Sequence, residues 1–365
     1  MTARIDAFLQ MGRDQGGSDI HLGVGCPPAL RVLGEITPIR YRDLTGDELK
    51  ALLHEVMSDV QKVEFEAGND VDFSYSPKDD ERYRLNVFRK EGGVGAVIRV
   101  VPKSIPPLDE LGLPPIVKSL AQSPHGLLLV TGATGTGKST TLASIIDYLN
   151  STCKLNIITL EDPVEYLHKS KSSLVVQREV GTSVDSYAAG LRAALREDPD
   201  VILVGEMRDA ETIMTAMTAA ETGHLVLGTL HTTSAMKTLD RIIDVLPAEQ
   251  KAQGTMFLAQ SLLGVISQTL VRTADGRGRK AILEIMVMTS AISNMLLTGK
   301  TIQIPATMQT GREQGMQIMD HALLEAVQAK EIDPDAAYLH AHDKRLLQRF
   351  VTDSKLLPQV SLVGR

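Results

Sequence analysis

Residues Gly132-Ala133-Thr134-Gly135-Thr136-Gly137-Lys138-Ser139 carry the spacing G-x-x-x-x-G-K-[ST], with Thr140 one position further on. Glycines in such a loop let successive backbone N–H groups converge on phosphate oxygens, and the following helix adds its positive end. Lys138 is placed to reach the β- and γ-phosphates, and the Ser139 hydroxyl to ligate Mg²⁺. Chance alone yields such a match about once in a hundred chains of this length. The flanks argue against chance. Leu127-Leu128-Leu129-Val130 reads as a buried strand and Thr141–Leu149 as a helix, so strand, loop and helix stand in the order the chemistry requires. The expectation is ATP binding, and hydrolysis further needs a carboxylate to orient water and positive charge for the transition state.

Acids occur in clusters after apolar runs. Glu161-Asp162-Pro163-Val164-Glu165 follows Ile157–Leu160, and Gly205-Glu206-Met207-Arg208-Asp209 follows Val201–Val204. Ligands of parallel α/β sheets bind beyond the carboxyl ends of strands, so both clusters are candidates for contact with Mg²⁺, water or γ-phosphate. Helix capping is the competing reading, and Asp209 before the helix at Ala210 fits it. The Walker B pattern puts Asp after the strand, whereas here Gly205 takes that place and Glu206 is the first acid. His224 and His231 bracket Leu225–Leu230, as packed, surface or functional groups. Arg82 and Arg84 share one face of a strand, and Arg99 lies on another; from the residues alone a solvated basic edge is favoured. Arg272 to Lys280 resembles a nucleic-acid patch, but Asp275-Gly276 between two apolar runs makes a hairpin tip the better reading.

The elements that must position these groups fall into two patterns. Met1 to Gln15 reads as an amphipathic helix with Ile5, Phe8 and Leu9 on one face. A strand pair is expected around Gly34, a helix from a Thr45/Glu48 capping box to Phe65, then strands at Asp70–Tyr75, Arg82–Phe88 and Gly95–Val101. This is a small α+β domain over 1–101. Prolines 102, 106, 107, 114 and 115 mark a rigid, non-helical linker over 102–115. From 116 to 365 strands at Gly126–Thr131, Asn156–Leu160, Val201–Val204 and His224–Leu230 alternate with helices at Lys138–Leu149, Ser183–Arg196 and Ala210–Thr222. That alternation predicts a mostly parallel sheet. After Pro247 the chain reads as helical, apart from a hairpin over Thr269–Val287.

With 38 Lys and Arg against 45 Asp and Glu, the net charge is −7, which gives no reason to expect a nucleic-acid partner. Two cysteines, Cys26 and Cys153, cannot build a multi-cysteine zinc site. No run is long enough to span a bilayer and no signal pattern opens the chain, so a cytoplasmic location is expected.

The motifs taken in order resemble the secretion ATPase superfamily, most closely the PilT-type motors that retract type IV pili. They are Gly17-Ser18-Asp19-Ile20-His21-Leu22, Arg84-Leu85-Asn86-Val87-Phe88, the phosphate loop, Ile158-Thr159-Leu160-Glu161-Asp162-Pro163-Val164-Glu165, Leu195-Arg196-Glu197-Asp198-Pro199-Asp200, Val204-Gly205-Glu206-Met207-Arg208-Asp209, Ala220-Glu221-Thr222-Gly223-His224 and Thr229-Leu230-His231-Thr232-Thr233. The resemblance implies an α/β chain with a PAS-like first domain and a RecA-like ATPase domain, assembled as a cytoplasmic homo-hexamer peripheral to the inner membrane. It implies a membrane platform partner and allows a second retraction ATPase beside it. It makes Glu165 the glutamate that polarises water and Glu206 the acid near Mg²⁺, directly or through water. It makes His224 and His231 sensors of the γ-phosphate, and Arg84 and Arg99 arginines brought against ATP.

Two comparisons narrow the branch. Assembly-type relatives commonly carry a four-cysteine zinc element, which this chain lacks the cysteines to build. Retraction-type members often carry Ala-Ile-Arg-Asn-Leu-Ile-Arg-Glu near the C-terminus, where this chain has Ala291-Ile292-Ser293-Asn294-Met295-Leu296-Leu297-Thr298. An accessory or divergent subunit is therefore the alternative, and a RecA-type enzyme acting on DNA is disfavoured by the acidic balance and the lack of a basic, aromatic groove.

Overall fold

The computed structural model describes residues 3–32, 35–78, 81–102 and 104–357. Met1 and Gly34, named above, lie outside the described residues. The chain divides into two compact units, Met1–Ser104 with Glu165–Leu167, and Ile105–Val164 with His168–Arg365.

The first unit is built on a six-stranded sheet of β1 (Asp19–Gly23), β2 (Ala29–Val32), β3 (Glu35–Pro38), β4 (Val71–Lys78), β5 (Glu81–Lys90) and β6 (Gly93–Val100). The order is β3-β2-β1-β6-β5-β4, antiparallel throughout. Period-two alternation buries Ile20, Leu22, Tyr83, Leu85, Val87 and Ile98 on one face, in one core with Leu49, Leu53 and Phe65 of the helices. The helix at the start spans Asp6–Asp14 and buries Phe8 and Leu9.

One expectation fails here. The helix foreseen from Thr45 to Phe65 is two helices, Gly46–His54 and Asp59–Glu66. Ser58 starts the second with a complete capping box: its hydroxyl accepts the Gln61 N–H at 3.4 Å, and the Gln61 side chain accepts the Ser58 N–H at 2.8 Å. The Thr45 box is only half formed, because Arg42 takes the Glu48 carboxylate at 2.7 Å through both oxygens.

The second unit contains β7 (Gly126–Thr131), β8 (Asn156–Glu161), β9 (Leu174–Glu179), β10 (Val201–Val204), β11 (Leu225–Leu230), β12 (Leu262–Arg272) and β13 (Arg279–Val287). They form one sheet in the order β13-β12-β7-β11-β10-β8-β9, parallel except for the β12–β13 hairpin. β7 lies inside the sheet, between β12 and β11, and is buried on both faces: Leu127 and Leu129 enter one core, Leu128 and Val130 the other. Each such side chain removed from water contributes about 1.5–3 kcal/mol, which fixes the strand that launches the phosphate loop. The linker runs through a short 3₁₀ turn, Leu108–Leu111, into a helix at Ile116–Ala121. Sequence reading missed β9, whose burial is too uneven to stand out, and β1.

Candidate nucleotide site

Parallel pairing sets β7, β11, β10 and β8 side by side with their carboxyl ends on one edge. Thr131 registers with Leu230, Val204 with Gly228, and Val204 with Leu160. The phosphate loop, His231, Gly205-Glu206 and Glu161-Asp162 therefore emerge next to one another, although the sequence scatters them.

The loop turns through Gly132 at φ +145° and Gly137 at φ +89°, and a Cβ on Gly132 would stand 2.4 Å from the Gln268 carbonyl oxygen. No other residue fits there. Ala133, Thr134 and Gly135 are exposed, Thr136 is half-buried, and the helix Lys138–Thr152 begins with no side-chain cap. Lys138 is only 8% exposed. Its ammonium donates to the carbonyls of Gly132 at 2.8 Å and Ala133 at 3.0 Å, and lies 3.5 Å from His231 Nδ1. Ser139 and Thr140 follow, half-buried, in the first turn.

A residue that sequence reading missed holds this loop. Gln268 on β12 is buried; its amide donates to the Thr136 carbonyl at 2.7 Å and accepts from the Thr141 hydroxyl at 2.8 Å. A long amide side chain within the mostly apolar strand Leu262–Arg272 was the available signal, because a buried amide must find partners.

Glu206 lies close by. Its Oε1 accepts from Arg208 Nε at 2.5 Å and sits 3.1 Å from His231 Nε2. His231 lies between the two, Nδ1 facing the Lys138 ammonium and Nε2 the Glu206 carboxylate. One chain thus runs from Lys138 through His231 to Glu206. Burial opposes ionisation of Glu206 most strongly, but the Arg208 hydrogen bond and the nearby His231 and Arg208 charges together prevail, leaving its pKa below the ordinary value. Burial likewise raises the Tyr187 phenol, with the Asp162, Glu206 and Glu161 charges adding to it.

Gly205 occupies the Walker B aspartate position for a steric reason. A Cβ there would stand 3.0 Å from both the Leu160 carbonyl oxygen and the Tyr187 hydroxyl. The acid therefore moves one residue on, to Glu206. Asp209 caps the next helix, accepting the Thr212 N–H and hydroxyl, each at 2.8 Å.

The remaining candidates are placed as follows. Glu161 is occupied, accepting from the Thr159 hydroxyl at 2.6 Å and the Gln177 amide at 3.1 Å. Glu165 is exposed, and its carboxylate makes no hydrogen bond or ion pair among the described residues. β9 fastens both flanks of its segment: Glu179 accepts the Val164 N–H at 3.0 Å and Gln177 the His168 N–H at 2.8 Å. His224 precedes β11, at the strand's opposite end from His231. Six residues at roughly 3.3 Å each put about 20 Å between the two ends, so His224 stands apart from its own phosphate loop; Nδ1 is 2.9 Å from the Ala219 carbonyl oxygen. In the first unit Arg84 registers with Arg99, which registers with Asp19. Arg99 Nε donates to Asp19 at 3.1 Å, while Arg84 Nε lies 3.9 Å from Asp72. On this polar sheet face Arg99 is exposed and Arg84 half-buried.

Residues 76–345 match the family described as type II/IV secretion system protein. The chain is 49% identical to the type IV pilus retraction ATPase PilT of Pseudomonas aeruginosa, over 87% of this chain and 92% of that one. It is 47% identical to a twitching motility protein of Neisseria gonorrhoeae, over 87% of this chain and 85% of that one. A crystal structure of the pilus retraction motor PilT with bound ADP superposes with a TM-score of 0.87 at 44% identity, covering 94% of this chain and 98% of that one. The parallel-sheet unit is accordingly a RecA-like ATPase domain, and the antiparallel unit is its N-terminal companion.

Proposed function

The chain belongs to the type II/IV secretion system protein family as a PilT-type ATPase, and on that footing we propose that it is a homo-hexameric motor coupling ATP hydrolysis to type IV pilus retraction. The observation that carries this reading is the continuous Lys138–His231–Glu206 chain on the edge where the phosphate loop opens. It stands in a chain similar over nearly its whole length to a retraction motor that holds ADP.

The roles follow from the chemistry. Lys138, screened from water and donating to the Gly132 and Ala133 carbonyls, exchanges them for the β- and γ-phosphate oxygens. Gly132 to Gly137 present backbone N–H groups, and Ser139 and Thr140 present hydroxyls. Among the described residues no group of three or more His, Cys, Asp or Glu could hold a metal. The hard oxygens of Ser139 and Glu206, completed by phosphates and water, suit Mg²⁺. When bound, Mg²⁺ neutralises charge between the phosphates. Glu165, an exposed carboxylate with no partner among the described residues, orients the attacking water. Arg84 and Arg99 supply positive charge to the transferring phosphoryl group. His231, between Lys138 and Glu206, registers whether a γ-phosphate is present. For His224 the same role rests on the family resemblance alone.

The working division is a PAS-like domain over 1–101, a linker over 102–115 and the ATPase domain over 116–365. No described helix is long and apolar enough to cross a membrane. The reading places the ring at the cytoplasmic face of the inner membrane, on a platform protein and with room for a second retraction ATPase. A second reading, an accessory subunit without independent retraction, is favoured by the helix Ser290–Leu297, where Ser293 and exposed Leu297 stand in place of arginines.

The test is twitching and retraction force in cells lacking the protein. Loss of retraction with pili still assembled, restored by the wild-type gene but not by Lys138→Ala, supports the motor. Unchanged retraction force in the deletion contradicts it and favours the accessory reading.

A further inference from the structure

Glu284 on β13 is 7% exposed, and each of its carboxylate oxygens serves a different helix. Oε1 accepts the N–H of Ala235 at 2.8 Å, and Oε2 that of Met319 at 3.4 Å. These are the first residues of the helices Ala235–Val245 and Met319–Gln328. The second helix needs this acceptor, because its N-cap is Ile318, whose side chain offers none. The first helix has its own Ser234 cap, taken by Lys237, so the carboxylate adds a second hold there.

That second hold bears on the nucleotide site. Thr232-Thr233-Ser234 alone separate His231 from Ala235. The sheet fixes one end of this segment through Leu230 and its partner Thr131. Glu284 fixes the other. Between the two anchors the imidazole spans Lys138 and Glu206. The Met319 helix packs with Val271, Ile282 and Tyr338 in the C-terminal core. The same carboxylate therefore joins the histidine segment to the C-terminal helices.

We propose that Glu284 is a positioning residue for the ATPase reaction: by clamping the start of helix Ala235–Val245 it holds His231 in line between Lys138 and Glu206. This rests on the catalytic reading of His231 given above. A buried carboxylate can be kept for stability alone, so the test must separate placement from folding.

Steady-state kcat and KM for ATP are measured on the full chain for Glu284→Ala, Glu284→Gln, His231→Ala and the Glu284→Ala/His231→Ala double variant. Asn150→Ala serves as control. Asn150 is fully buried and also makes two backbone hydrogen bonds, accepting the Lys171 N–H at 2.9 Å and donating to the Lys169 carbonyl at 2.8 Å. A misplaced group costs about 10- to 100-fold in rate, and a loss of that size in kcat with KM unchanged is expected for Glu284→Ala. Glu284→Gln keeps one carbonyl oxygen and recovers part of the loss; it carries the test if the alanine variant does not fold. In the His231→Ala background the second substitution costs nothing more. Full kcat in Glu284→Ala, an equal kcat loss in Asn150→Ala, or losses that multiply in the double variant would each overturn the proposal. If His231→Ala itself keeps full kcat, the catalytic reading of His231 fails, and the positioning role fails with it.

Discussion

The two sheets present their chemistry in opposite ways. In the antiparallel sheet of the first unit, Asp19, Arg99 and Arg84 register across β1, β6 and β5 and project from a face. In the parallel sheet of the second unit, Lys138, His231 and Glu206 hang from the ends of neighbouring strands and bond to one another. A face arranges side chains by alternation, and here it buries Asp19 under its Arg99 hydrogen bond while leaving the Arg99 guanidinium exposed. An edge arranges them by strand order and can close a hydrogen-bonded circuit. The first unit is thus suited to supply charge, and the second to bind and discriminate.

The comparison breaks most visibly at Arg84. An arginine finger is worth about 10³–10⁵ in rate, so Arg84→Ala should lose turnover on that scale while equilibrium binding of a fluorescent nucleotide is retained. Equal loss of binding would make Arg84 part of the binding edge. Gln268→Leu should act the other way, on binding. Each hydrogen bond to the loop is worth about 0.5–1.5 kcal/mol, so losing two predicts nucleotide affinity weakened by roughly 5- to 150-fold, with kcat at saturation little changed. Gly205→Asp restores the usual Walker B acid but drives a side chain against the Leu160 carbonyl and Tyr187. Overpacking of this kind costs about 1–3 kcal/mol, which thermal melting would register as a lowered Tm, with no gain in turnover. The smallest effect concerns Glu206. Its folded-state pKa lies below the ordinary 4.5, so the stabilisation from its ionised form is present above that pH and is lost as pH falls through the lower folded value. Glu206→Gln should flatten that part of the acid melting profile and lower Tm slightly at neutral pH, where that stabilisation is fully present.

Legibility followed the same division. Alternation of Tyr83, Leu85 and Val87 with Arg84 and Asn86 showed which side chains share a face, and the structure agrees. Alternation could not name a partner for Arg84, and the residues alone favoured a solvated edge. The phosphate loop and its flanking strand and helix were readable because motif and periodicity coincide there. The pairing of His231 with Glu206 was not, because 24 residues, a crossover helix among them, separate the two and only strand order brings them together. Bracketing of β11 by two histidines looked symmetrical in sequence, yet a strand has two ends and only one faces the loop. Gln268 and Glu284 went unremarked for a related reason. Each is a buried polar residue on a largely apolar strand, and its partners lie far off in sequence. The break at Ser58 was hidden because the helical pattern continues across it, and only the cap chemistry marks the new start.

The proposed function stands or falls on ATP hydrolysis with Glu165 as the water-orienting carboxylate. The most direct test is ATP hydrolysis by the purified protein across a concentration series, with mass determined in parallel for wild type and Glu165→Ala. The account predicts turnover that rises with a six-subunit species and is lost in Glu165→Ala, in which ATP binding persists. Hydrolysis at the wild-type rate by Glu165→Ala, or ATP bound without turnover by the wild type at every concentration, would contradict it.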